Sequence, residues 1–212
     1  MKPEVHIVWF KRDLRVHDHA ALFEACKQGA VLPVFCWDAS VWHGEDYATQ
    51  HQMFVKECLQ SLKRDLQALG LSLLAFQQGI IETLDRIAQL YSIVCLHSHE
   101  ETGNGNSYAL DQSVAAWCKV HQIDWFEYPQ NGVVRRLKNR DSWAANWEKH
   151  MHAHQVSTPS MTRMAVVLSD LQVTSVAGTR ENGYPDKSLR QKGGREEATK
   201  LLHTFLNGRA SR

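Results

Sequence analysis

The residues able to do chemistry fall into four short groups. Lys11-Arg12-Asp13-Leu14-Arg15 gathers cations around one carboxylate. Such a turn either meets a polar ligand or closes on itself as an ion-pair network of Arg12, Asp13 and Arg15. His99-Glu100-Glu101-Thr102-Gly103-Asn104-Gly105-Asn106 is a polar, Gly-rich loop, and Phe35-Cys36-Trp37-Asp38 ends an apolar run on a thiol and a carboxylate. The fourth group is His150-x-His152-x-His154. Its i, i+2 spacing does not converge on one ion and no cysteine lies near, so no metal site is expected there. There is no G-x-G-x-x-G, G-x-S-x-G or P-loop, and no catalytic residue is expected. Glu100 and Glu101 would repel a pyrophosphate brought to Gly103-x-Gly105.

The elements that must position these groups alternate regularly. Near-continuous apolar runs predict buried strands near 5–10, 31–37, 72–76 and 92–97, and an alternating run predicts an edge strand at 124–128. Between them lie amphipathic helices. The first is expected to be capped by Asp18 and to stop at Gly29. The second runs from Thr49 to about Leu69, with Phe54, Cys58, Leu62, Leu66 and Leu69 on one stripe. The third spans about Ile80 to Tyr91. The fourth spans about Ser107 to His121, with Leu110, Val114, Trp117 and Cys118 inward. Strand–helix alternation with short turns predicts an α/β fold, a Rossmann-like doubly wound five-stranded parallel sheet of order 3-2-1-4-5. Ligands of such sheets sit at the C-terminal ends of the strands, where strand order reverses. The charged turn, the 35–38 segment and the 99–106 loop would all reach that place.

The chain has 212 residues, 43% hydrophobic and 22% charged, with a net charge of +1. That excludes a global electrostatic attraction to nucleic acid. No apolar run approaches the roughly 20 residues needed to cross a bilayer. The five cysteines are scattered, four of them among apolar neighbours, and read as reduced core residues of a cytoplasmic protein. Beyond Tyr128 the texture changes. The chain divides into an α/β domain at 1–130, a connecting segment and linker at 131–190, and a terminal piece at 191–212. The linker includes a short helix near Asp141–Trp147 and small apolar knots such as Ala165–Leu168. The terminal piece holds an amphipathic helix with Ala198, Leu201, Leu202 and Phe205 on one face. That stripe has nothing left to pack on, which implies a truncation and invites self-association. Trp117, Trp125, Trp143 and Trp147 are expected in the core or at docking surfaces.

Trp9-Phe10-Lys11-Arg12-Asp13-Leu14-Arg15-x-x-Asp18-x-x-Ala21-Leu22 resembles the N-terminal signature of the DNA photolyase/cryptochrome family. Three more stretches agree: Glu100-Glu101-Thr102-Gly103-Asn104 with Tyr108-Ala109-Leu110-Asp111; Gly132 to Leu137 with Arg140-Asp141-x-Trp143; and Gly193-Gly194-Arg195-Glu196-Glu197-Ala198. The pattern is similar to a bacterial cryptochrome-like branch and covers essentially the whole chain. The resemblance implies the family's N-terminal antenna-type domain, cut short before the helical domain that binds FAD. It implies a blue-light flavoprotein parent, a lyase that repairs pyrimidine dimers or a signalling cryptochrome. Damaged DNA would be met only through the missing helical domain, which would be the partner in cis, and the 212-residue chain alone would be inactive. It further implies an antenna chromophore, a folate, a deazaflavin or a flavin, contacted by Lys11, Asp13, Cys36 through its backbone, Asp38, Glu100, Glu101 and Asn104. Two departures stand against particular antennas. Asn106 is followed by Ser107 where folate-binding members carry Asn-Glu, and Gln50-His51-Gln52 replace the Arg of flavin-type sites. The competing readings are a stand-alone nucleotide- or small-molecule-binding α/β module, stress-protein-like or electron-transfer-flavoprotein-like, and a protein-interaction module.

Overall fold

The computed structural model describes residues 1–42, 48–160 and 190–209. The elements follow the order β1 (Glu4–Phe10), α1 (Ala20–Gln28), β2 (Val31–Cys36), α2 (Ala39–Trp42), α3 (Thr49–Ala68), β3 (Leu74–Phe76), α4 (Ile80–Leu90), β4 (Ser92–His99), α5 (Gly105–His121), β5 (Asp124–Tyr128), α6 (Trp143–Met151) and α7 (Arg195–Thr204), with a π-helical turn at Phe205–Arg209. All five strands pair in parallel, in the order β3-β2-β1-β4-β5. The expected topology is therefore present.

The apolar runs form strands because both faces of the sheet are covered. Val5, Ile7 and Trp9 of β1 point to one side, where Ile80, Leu84 and Ile87 of α4 and Val114, Trp117 and Cys118 of α5 pack on them. Val8 and Phe10 point to the other, against Ala21, Leu22 and Ala25 of α1 and Leu59, Leu62 and Leu66 of α3. Burying one such aliphatic side chain contributes roughly 1.5–3 kcal/mol. β5 lies at an edge and is only partly covered, in keeping with its alternating sequence.

Several local expectations are corrected. Asp18 does not cap α1. It sits at φ 48°, and its carboxylate accepts from the Val156 amide at 2.9 Å. His19 is the cap instead, its Nδ1 accepting from Leu22 N at 3.0 Å. A carboxylate committed to a distant segment is not free to satisfy the first helical turn. The third strand is only Leu74–Phe76, and the fourth extends through His99, which the sequence places in a loop. Trp117 is core, whereas Trp143 and Trp147 are 46% and 41% exposed and lie near each other on α6.

Part of the segment after Tyr128 is tied back onto the α/β body. Besides Val156, Thr158 Oγ1 lies 3.0 Å from His17 Nδ1. Arg190 forks onto Glu57 of α3 at 2.6 and 2.9 Å, and the Gly193 amide donates to the same carboxylate at 2.7 Å. A Cβ at Gly193 would lie 2.2 Å from the Phe54 carbonyl oxygen, so only glycine allows this approach. Past this clasp, α7 and the π turn leave Leu201, Leu202, Phe205 and Leu206 at least half exposed. The knot at Ala165–Leu168 lies outside the described residues.

Candidate ligand-binding crevice

The switch in strand order falls between β1 and β4, whose C-terminal ends deliver the charged turn and the segment after His99. The turn is not held by an arginine–aspartate network. Asp13 is 2% exposed and points inward. Its Oδ1 accepts the Lys11 amide at 2.7 Å, and its Oδ2 accepts from His99 Nδ1 at 2.6 Å. His19 Nε2 lies 2.9 Å from that same oxygen, at too oblique an angle for a formed hydrogen bond. Burial pushes the Asp13 carboxyl up, but interaction with His19 and His99 outweighs it and holds the group well below the usual carboxylate range. Burial lowers His19, with Asp13 opposing. Arg15 donates to the backbone carbonyls of His17 and Asp18, and Arg12 lies 3.9 Å from Glu101. The turn is thus pinned by a buried carboxylate between two histidines.

Above it, Lys11 crosses the Trp9 ring at 4.4 Å and pairs with Asp111 of α5 at 2.8 Å, both side chains being largely buried. Lys11, Cys36, Asp38, Trp42, Glu101 and Asp111 line a crevice of about 40 Å³. That is room for a few waters, since one needs about 10–15 Å³. Beside it, sharing Glu101 and Ser107, opens a cleft of about 640 Å³ lined by Glu100, Asn104, Tyr108, Glu127 and Arg135. This size falls within the roughly 300–1,000 Å³ of ligand sites. Arg135 bridges the two spaces, lying 2.8 Å from Glu127, 3.2 Å from Glu100 and 3.8 Å from Asp111. Its pairing with Glu127 raises its guanidinium further, and burial raises the Asp111 carboxyl against the pull of Lys11. Asp111 Oδ2 and Glu127 Oε1 are buried and have no hydrogen-bond partner among the described residues. An unsatisfied acceptor on each space, Asp111 at the crevice and Glu127 at the cleft, favours a ligand that brings N–H or O–H groups. The Cys36 thiol contacts Thr83 Oγ1 at 3.3 Å, and burial pushes it up to about 12, far from a reactive thiolate.

The residues named from sequence therefore divide. Lys11, Cys36, Asp38 and Glu101 share the crevice, and Glu100, Glu101 and Asn104 share the cleft. Asn104 also caps α5, its Oδ1 accepting from Ser107 N at 3.2 Å. Asp13, 2% exposed, lines neither space. Sequence reasoning did not name Glu127, Arg135 or Asp111 as site residues. The last two stand in the family-like stretches, which was the available signal, whereas Glu127 carried none.

Residues 6–158 match the family model for DNA photolyase. The chain belongs to the DNA photolyase family. It is 35% identical over 105 residues to a cryptochrome DASH of Solanum lycopersicum, covering 46% of this chain and 18% of that protein. It is 35% identical over 219 residues to cryptochrome-2 of Arabidopsis thaliana, covering 94% of this chain and 36% of that one. The photolyase-type fold is matched by the crystal structure of an archaeal photolyase from Sulfolobus tokodaii, described as holding two FAD molecules and implicating a novel light-harvesting cofactor. That match has a TM-score of 0.71 and 21% identity over 94% of this chain and 46% of the other. The chain thus spans about a third or less of these two relatives' length and about half of the archaeal chain. It is a photolyase/cryptochrome N-terminal domain, and the stand-alone-module reading is not favoured. No helix among the described residues is long and apolar enough to cross a membrane.

Proposed function

We propose that the chain serves a blue-light flavoprotein as its antenna-type domain, and that the crevice and its neighbouring cleft receive a heteroaromatic light-harvesting chromophore, a folate, deazaflavin or flavin. The observation that carries this is the pair of buried acceptors without a hydrogen bond among the described residues, Asp111 Oδ2 at the crevice, with Arg135 3.8 Å away, and Glu127 Oε1 at the cleft. These ring systems present edge N–H groups that such oxygens would accept. Glu100, Glu101 and Asn104 border the cleft, Lys11, the Cys36 backbone and Asp38 border the crevice, and Asp13 sets the turn. The archaeal photolyase, described as holding two FAD molecules with a novel light-harvesting cofactor implied, supports a second chromophore in a protein of this kind. Because the crevice has room only for a few waters, ring insertion there requires the Trp42 side to open. The catalytic FAD would belong to a helical domain acting in cis, the parent working in the cytoplasm on pyrimidine dimers in DNA or in light signalling. Residues 191–212 would begin that domain, after a linker at 131–190, and the exposed α7 stripe would face it.

The test is equilibrium dialysis of the purified chain with a methenyl-tetrahydrofolate, FMN and a deazaflavin, read by absorption shift. One of the three should bind with a shifted band, and Glu127→Leu should abolish the shift while circular dichroism is unchanged. Failure of all three to bind would overturn the antenna reading. Light-dependent dimer repair by this chain alone would overturn the placement of the FAD chemistry elsewhere.

A further inference from the structure

A second polar cluster lies on the α1 face of the sheet, away from the crevice. His6 of β1 and Cys95 of β4 are partners across the parallel ladder, and His97 follows two residues on, so all three side chains share one face. They are 6%, 6% and 0% exposed. Their donor atoms all lie within 4.8 Å of one another. Cys95 Sγ is 3.5 Å from His6 Nδ1 and 3.8 Å from Gln28 Oε1 at the end of α1. The outer nitrogen of His97, Nδ1, meets the Tyr128 hydroxyl at 3.1 Å, while its Nε2 is buried with no partner among the described residues. Gly29 makes room for the His6 ring, since a Cβ there would stand 2.9 Å from His6 Cδ2.

We propose that His6, Cys95 and His97 form a binding site for one Zn²⁺ ion, with Gln28 Oε1 or water as fourth ligand. The donor set is one thiolate and two imidazoles, the chemistry that zinc takes in tetrahedral sites. The spacing agrees. With Zn–S near 2.3 Å and Zn–N near 2.0–2.1 Å, tetrahedral angles put sulfur and nitrogen about 3.6 Å apart, and the Cys95–His6 separation is 3.5 Å. Tyr128 on Nδ1 is the outer hydrogen bond that orients a ligating imidazole and leaves Nε2 with its lone pair inward. On binding, the Cys95 thiol forms the S–Zn bond and gives its proton to solvent. Gln28 is exposed at the mouth of the cluster and marks an entry route. The Asp13–His19–His99 group, although also two histidines with an acid, has no such room, because Asp13 Oδ2 already lies 2.6 and 2.9 Å from the two ring nitrogens.

The experiment is titration of the full chain, stripped with chelator, with Co²⁺ and then Zn²⁺. One Co²⁺ per chain should give the near-ultraviolet thiolate-to-cobalt band, and one Zn²⁺ should displace it. The band should vanish in Cys95→Ser and persist in Cys118→Ser and in His152→Ala. His97→Gln should weaken Co²⁺ binding about tenfold or more, which keeps the test open if Cys95→Ser does not fold. Absence of the band in the unmodified chain, its survival in Cys95→Ser, or unchanged affinity in His97→Gln would each overturn the site.

Discussion

The Asp13–His19–His99 group joins the turn after β1 to the end of β4, the His6–Cys95–His97 group joins β1 to β4 within the sheet, and both are almost wholly buried. They differ in what sits between the rings. In the first a carboxylate occupies the middle, its two oxygens taken up by a backbone amide and the imidazoles. In the second the central group is a thiol, a weak donor and acceptor, and one ring nitrogen is left without a partner. In the first group the carboxylate is crowded by protein atoms on both oxygens, although His19 Nε2 forms no hydrogen bond among the described residues, and it locks the turn that carries Lys11 and Arg12. The second has one open coordination sphere. Each group has one buried ring nitrogen without a hydrogen bond among the described residues, so burial and satisfaction do not separate a structural histidine cluster from a ligand site. The room between the donor atoms does: 2.6 and 2.9 Å in the first, 3.5 Å between Cys95 and His6 in the second.

The largest expected effect breaks the first group. Asp13→Ala removes the acceptor for His99 and for the Lys11 amide, and should cost about 3–5 kcal/mol, measured as a shift in urea midpoint. A loss below 1 kcal/mol would mean the carboxylate does not lock the turn.

The next effect is pH-dependent and belongs to the second group. Burial, then the neighbouring His6, brings His97 down to about 4 from its ordinary 6.5. Between those values the unfolded chain binds the extra proton, so the stabilisation is complete above about pH 6.5 and is lost as pH falls toward 4. The loss should be on the order of 3 kcal/mol in chelator, and His97→Gln should flatten this part of the profile. Asp13, depressed below its ordinary value, adds a separate loss only at more acidic pH. An equal slope in both proteins would break the assignment.

Gly29→Ala should cost about 1–2 kcal/mol, because the new methyl group presses on the His6 ring, and should also weaken Co²⁺ binding. Thermal melts with and without metal separate the two effects. Smallest, Cys95→Ala in chelator should cost about 1 kcal/mol, while with Zn²⁺ present the unmodified chain should gain stability and the variant should not. If Cys95→Ala cost as much as Asp13→Ala without metal, the contrast between the two groups would collapse.

Periodicity and local chemistry determined much by themselves. Continuous apolar runs mean strands covered on both faces, strand–helix alternation with short turns means parallel pairing, and the family-like stretches named the segments that meet at the switch point. The sheet order and the neighbourhood of Lys11, Cys36, Asp38 and Glu101 followed from that. What only the tertiary structure decided are the partnerships across long separations. Asp13 meets His99, Lys11 meets Asp111, and Asp18 is drawn off its helix by Val156. His6, Cys95 and His97 converge because parallel register places β1 beside β4. In sequence the eye goes to His150, His152 and His154, whose closeness along the chain is irrelevant to an ion. Side-chain hydrogen bonds and coordination act over a few ångströms in space, and spacing along the chain reports that distance only within one helix or one strand.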